Sequence, residues 1–369
     1  MSASPALLAR VLRDPGAAAG LDPDGWDLLL RQALGADMTP ILLVLLEDAG
    51  LLAAAPPAPR AHLEWARIAA DRHLQAVRYE VRQIGRALAD TGLPLILLKG
   101  AAYAMAGLAP GRGRMFSDID ILVPKERLPE VEAALMLHGW FSAHHDAYDQ
   151  RYYRDWMHEI PPMEHVKRGN VIDVHHAILP ETAAARPDPA KLRAAAVPVA
   201  DAGDGLPAMR VLAPHDMVLH SAVHLFSDGE FNHGLRDLFD IHRLLLQFGG
   251  QAGFWAELAP RARELELERP LFYALRYAVR LFNTPVPDTV LADAGSGRGR
   301  PGRALLALMD RLFLRGLAPA HPSCADALTP LALSMLYVRG NWLRMPPLLL
   351  SRHLFHKAFI TPRAGQVQQ

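Results

Sequence analysis

The sequence predicts an α+β protein, with a small mixed β-sheet core set between a helical N-terminal module and a helical C-terminal module. Three observations predict it. Short apolar runs of strand length, Pro94 to Leu98 and Ile119 to Val123, lie close together near one third of the chain and are separated by helix-favouring residues. A glycine-asparagine pair, Gly169-Asn170, divides two further candidate strands. On both sides of this region, apolar residues recur at helical spacing and prolines stand where helices begin. The expected boundaries are 1–92, 93–212 and 213–369.

The totals are consistent with that plan. A chain of 369 residues, half of them apolar, can bury a large core. Its 39 basic and 39 acidic residues balance, which argues against an extensive nucleic-acid surface while leaving room for a local patch. The single cysteine, Cys324, cannot form an internal disulfide, and the first residues lack the charged start and apolar core of a signal peptide. No apolar run reaches the roughly 18 residues of a membrane span. A cytoplasmic protein, soluble or at most peripheral, is expected.

In chain order, Ser4-Pro5, Asp22-Pro23 and Thr39-Pro40 each place a capping residue before a proline, so three helices should follow. Trp26, Leu29, Leu30, Ala33 and Leu34 give the second a buried face. Pro56 to Pro59 reads as a stiff linker before a long helix from about Ala61 to Asp90, with Leu74, Val77, Val81, Ile84 and Leu88 as its seam. Thr91-Gly92 ends that helix.

The stretch LPLILLKGAAYAMAGLAPGRGRMFSDIDILV, residues 93–123, carries the chemistry. A buried strand, Pro94 to Leu98, runs into Lys99-Gly100 and a helix start at Ala101, where free amides and the helix dipole favour phosphate oxygens. A loop rich in glycine and arginine then leads to Asp118-Ile119-Asp120. Period-two alternation sends Asp118 and Asp120 to one strand face, about 7 Å apart along it. Two carboxylates so placed can converge on hard divalent cations, which phosphoryl and nucleotidyl transfer require.

Taken together, LPLILLKG, GRGR and SDIDILV resemble the DNA polymerase beta-type nucleotidyltransferase superfamily. More closely, they resemble a bacterial branch that carries LKG and R-x-x-x-D-I-D. The resemblance departs from the common pattern in lacking a Gly-Ser dipeptide at Lys99-Gly100-Ala101 and in a longer spacing to Asp118. It implies two magnesium ions held by Asp118, Asp120 and a third carboxylate on a neighbouring strand. Asp173 is where the resemblance calls for that carboxylate, to complete the metal site and accept the acceptor hydroxyl's proton, with Asp155, Glu159 and Glu164 as competitors. Arg114 matches the arginine of the family pattern and is preferred to Arg112 for approaching the nucleotide.

Downstream, Lys125 to Leu137 reads as a helix stopped by Gly139, and Trp140-Phe141 as a strand. Met163 to Arg168 and Val171 to Ala177 read as a hairpin joined by a tight two-residue turn, with Val171, Asp173 and His175 on one face. Residues 181–209 read as a weakly structured connection, with a short returning strand from Met209 to Leu212. Helices follow from Pro214.

Seventeen histidines invite a metal-hydrolase reading, with His215, Asp216, His220, His224 and Asp240 as a histidine-aspartate phosphohydrolase site. The spacing is poor, and His224 and Asp240 are expected instead to pair in the seam between two helices or to line the substrate cleft. His158, Glu159, Glu164 and His165 flank Pro161-Pro162 outside any helical zinc-protease register and read as surface or cleft-edge residues. Gly295 to Gly302 reads as a linker, since it lacks the ending of a phosphate loop. Arg344 to Arg363 could form a basic amphipathic helix that contacts a protein partner or a membrane surface.

The expected function is metal-dependent transfer of a nucleotidyl group from a nucleoside triphosphate to a small molecule, sugar, peptide or protein side chain. Asp118, Asp120 and Asp173 are the expected catalytic and metal residues. Lys99, Gly100, Ala101, Arg114 and Ser117 are expected to bind the nucleotide, with His175, His224 and Asp240 near the cleft. The alternatives are a noncatalytic nucleotide- or partner-binding protein on the same fold and the phosphohydrolase.

Overall fold

A computed structural model describes residues 6–142, 150, 153–154, 156–199, 208–297 and 299–346. Ser4-Pro5, Asp155 and the expected amphipathic tail from residue 347 onward lie outside the described residues.

The chain opens with helices α1 (Leu7–Arg13), α2 (Pro23–Gly35), α3 (Thr39–Asp48) and α4 (Pro57–Ala87). Asp22 caps α2 by accepting from Gly25 N, as its place before Pro23 predicts. Thr39 departs from the expectation: it opens α3 without a capping bond, and the N-cap is Met38. Pro57 and Pro59 belong to the first turn of α4, where missing N–H donors cost nothing, so the expected linker is shorter than read.

Strand β1 (Leu95–Leu97) then leads into α5 (Lys99–Met105), and β2 (Asp118–Leu122) follows the arginine-bearing loop. After α6 (Leu128–Leu137) come β3 (Trp140–Ser142), β4 (Met163–His165) and β5 (Val171–His175). The turn between β4 and β5 is wider than two residues. Arg168 N and Gly169 N both donate to His165 O, and Gly169 takes a left-handed φ of +68°. The stretch read as a weak connection holds helix α7 (Pro189–Ala195), capped by Asp188, and β6 (Val197–Pro198), before β7 (Met209–Val211).

These strands form one mixed sheet in the order β3-β4-β5-β2-β1-β7-β6. At its centre β2 runs antiparallel to β1 and parallel to β5, with Asp120 opposite Asp173. β7 lies parallel to β1 on the other side.

The later helices are α8 (Pro214–Ser227), α9 (Gly234–Phe248), α10 (Phe254–Glu264), α11 (Glu268–Phe282), α12 (Asp288–Ala294), α13 (Arg303–Gly316) and α14 (Thr329–Arg344). α8, α9 and α11 pack on one another, and α1 packs on α11, so the first helix of the chain closes against the later bundle. Phe226, Tyr273, Tyr277 and Phe313 stack at the bundle centre. One apolar cluster runs from Leu8 through the sheet to Leu336. The result is an α+β architecture with one mixed sheet among helices from both ends of the sequence. No helix among the described residues is long and apolar enough to cross a membrane.

Candidate active site

The site begins with alternation along β2. Ile119 and Ile121 are buried on the core side, while Asp118 and Asp120 emerge on the other. Parallel pairing with β5 sets Asp173 directly beside Asp120, so three carboxylates meet, their ligand oxygens within 4.8 Å of one another. Asp118 is half-buried and Asp120 fully buried.

The neighbours of Asp120 define its state. Lys99 Nζ donates to Asp120 Oδ1 at 2.9 Å, and His175 Nε2 meets the same oxygen at 2.8 Å. Burial alone would raise its pKa, yet the Lys99 ammonium and the bond to His175 hold it well below the ordinary carboxylate range. Asp173 lies in the opposite situation. Burial first, then the charges of Asp120 and Glu159, push its carboxyl up to about 8, and its Oδ1 has no hydrogen-bond partner among the described residues.

A buried oxygen without a partner, in a group carrying more negative than positive charge, fits a divalent cation. Asp118, Asp120 and Asp173 could hold such ions, since all three offer the hard oxygens that magnesium prefers.

Lys99 reaches Asp120 because the chain turns sharply after β1. Its φ is +43°, in the left-handed region where a side chain other than glycine is strained. Gly100 follows with no room for a side chain: a Cβ there would fall 2.5 Å from Arg114 Nη1 and 2.7 Å from Phe116 Cδ1. Ala101 is buried behind it.

A cleft of about 710 Å³ opens over this point, lined by Lys99, Gly100, Arg114, Ser117, Asp118 and Asp120. Its other walls come from distant parts of the chain, Leu34, Pro40 and Trp65 on the N-terminal helices and His224 and Arg236 on α8 and α9. Asp173, His175, Asp240 and Ala101 do not line it.

Arg114 lines the cleft and is at the same time tied to helix α9. It is 8% exposed, donates through Nε to Asp240 Oδ2 at 2.6 Å and lies 3.6 Å from Asp237, and these carboxylates raise its pKa against the opposing effect of burial. Asp240 is thereby taken by Arg114, so it is not the partner of His224. The nearest carboxylate to His224 is Asp237, at 3.9 Å. Arg112 pairs with Asp48 at the surface.

The phosphohydrolase constellation is likewise dispersed, with Asp216 bound by Arg261 and His215 Nε2 donating to Phe254 O at 3.0 Å. His158 and Glu159 are no surface residues either. Glu159 Oε2 lies 3.3 Å from His175 Nε2, and the His158 ring sits 5.2 Å from that of His175. Glu164, by contrast, is exposed.

Comparison with known proteins now bears on these residues. A family model described as uncharacterised nucleotidyltransferase matches residues 22–283. The chain belongs to that family. No curated protein and no solved structure gives a significant match. Every cleft residue named above falls inside the span matched by the uncharacterised nucleotidyltransferase family, whereas α12, α13 and α14 fall outside it.

Sequence reasoning missed Trp65 and Arg236. Trp65 had a signal, since it lies off the apolar seam of α4 and is 71% exposed, an aromatic on a polar helix face. Arg236 had none. It reaches the cleft only because α9 packs beside the loop, where it donates to Met115 O at 3.4 Å.

Proposed function

We propose that this chain is a metal-dependent nucleotidyltransferase that moves a nucleotidyl group from a nucleoside triphosphate to a hydroxyl-bearing acceptor. The observation that carries this reading is the register that sets Asp173 beside Asp120, with Asp118 completing the group at the floor of a cleft. On this reading residues 93–212 are the catalytic core, while 1–92 and 213–369 supply the cleft walls.

Asp118, Asp120 and Asp173 would hold two magnesium ions, which when bound polarise the α-phosphate and offset the charge of departing pyrophosphate. The chain's own groups do the rest. Lys99, Arg114 and Arg236 line the cleft and bring positive charge to it for the phosphates, with Ser117 beside them, while Gly100 lets Arg114 and Phe116 pack against the backbone there. Trp65 offers an exposed indole face on which a nucleobase can stack. The acceptor oxygen attacks the α-phosphorus as the bond from that phosphorus to the bridging oxygen breaks, and pyrophosphate leaves. Asp173 receives the acceptor's proton, directly or through the bound ion.

A second reading, a noncatalytic nucleotide binder, is favoured by the Lys99–Asp120 bond, which fills part of the acidic group with the chain's own cation. The two readings separate on one measurement. Wild type with magnesium, α-labelled triphosphates and a cell extract as acceptor source should release pyrophosphate and label a product, and Asp118→Asn should lower the rate by roughly three orders of magnitude. Magnesium-dependent nucleotide binding without any pyrophosphate release would establish the binder instead.

A further inference from the structure

Next to the three aspartates lies a second group of ligating side chains with a different chemistry. His158, Glu159 and His175 each offer a ligand atom, and these lie within 4.8 Å of one another. Backbone pairing holds them in place. Glu159 bridges His175 in antiparallel fashion, Ile160 N donates to Val174 O at 3.1 Å, and His176 N donates to His158 O at 2.8 Å. Donors fixed to a sheet in this way need little reorganisation to receive a ligand.

Two atoms in the group are left over. His175 is 1% exposed, and its Nε2 lies against Asp120 Oδ1 and Glu159 Oε2, but its Nδ1 has no hydrogen-bond partner among the described residues. His158 Nδ1 is also buried without a partner. Each such atom has given up its hydrogen bonds to water without a replacement. Packing gives no reason for two of them side by side. Carboxylates stand close by, with Glu159 and Asp120 both facing His175 Nε2.

We propose that His158, Glu159 and His175 form a metal site separate from the aspartate group and suited to a borderline divalent ion of the zinc kind. Imidazole nitrogens favour zinc, cobalt and nickel, whereas an all-carboxylate set favours magnesium. Two imidazoles and one carboxylate are a three-ligand set that leaves a fourth tetrahedral position open. An ion there ties the segment around His158 to the end of β5 and fixes the His175 ring against Asp120. The proposal stands on these side chains and does not depend on the transfer reading.

Zinc binding by the full-length untagged chain tests it, with the protein first stripped by a chelator. Zinc content after dialysis and competition with a chromogenic chelator give stoichiometry and affinity, and cobalt substitution gives a visible absorption band for a four-coordinate site. Wild type and Asp118→Asn should both bind about one equivalent, while His158→Ala and the near-isosteric Glu159→Gln should bind at least about tenfold more weakly. Glu159→Gln serves if His158→Ala does not fold, as judged by circular dichroism. Equal zinc affinity in wild type and Glu159→Gln, or zinc binding lost in Asp118→Asn yet kept in both other variants, would overturn the proposal.

Discussion

Two buried charged clusters beside the cleft are built in opposite ways. In one, Arg114 and Arg236 meet Asp237 and Asp240, two cations against two anions, held by bonds at 2.6 to 3.2 Å. In the other, Asp118, Asp120, Asp173 and Glu159 crowd around Lys99, with His158 and His175 between them. The balanced cluster joins α9 to the loop before β2 and so acts as a structural tie. The unbalanced one keeps an excess of carboxylate that the fold alone does not neutralise, which is what a cation-binding site has to retain in the absence of its ion.

The contrast can be broken at the balanced end first. Arg114→Met should destabilise the protein by about 3–5 kcal/mol in urea melts, because it strands the buried Asp240 carboxylate and leaves Asp237 with Arg236 alone. A loss under about 1 kcal/mol would remove the distinction between the clusters.

Acid sharpens the same comparison, since α9 also buries His242. Burial first, then Arg243, lowers its pKa from 6.5 to about 4, while its Nδ1 lies 2.8 Å from Thr284 Oγ1. The unfolded chain takes up a proton near 6.5 and the folded one only near 4, so stability should fall as pH drops through that window. The loss should be roughly 3 kcal/mol and absent in His242→Asn. Melts at pH 7 and pH 4 read it directly.

Between the clusters, Gly100→Ala drives a methyl group into Arg114 and Phe116, and a cost of about 1–3 kcal/mol is expected from the same melts. The smallest effect on stability belongs to the acidic cluster. Asp173→Asn should leave stability within about 1 kcal/mol of wild type or raise it, because burial and the nearby charges of Asp120 and Glu159 work against an ionised carboxylate at that place. Its magnesium affinity, measured by calorimetry, should fall all the same.

Much of this was legible in the sequence for identifiable reasons. Asp118 and Asp120 share a strand face by a two-residue period, whereas Asp173 was named only because the resemblance calls for a third carboxylate, with Asp155, Glu159 and Glu164 as competitors, and no local rule reveals the pairing of β2 with β5 that sets it beside Asp120. The partners of Arg114 lie on a helix more than a hundred residues away, and no local pattern announces them. His158 and Glu159 stand beside two prolines with no periodicity to read, and they meet His175 only through an isolated bridge. The wide turn at Gly169 was hidden because a glycine-asparagine pair suits a tight turn equally well.

Lys99 has one more effect. Because its ammonium group already sits on Asp120 from within the covalent chain, the centre of the sheet owes its integrity to a counterion that chelators cannot remove. Protein stripped with EDTA should therefore keep its helical spectrum and melt cooperatively. An incoming ion then competes with a tethered amine for Asp120, which weakens apparent affinity and makes metal loading respond to the concentration of free ion.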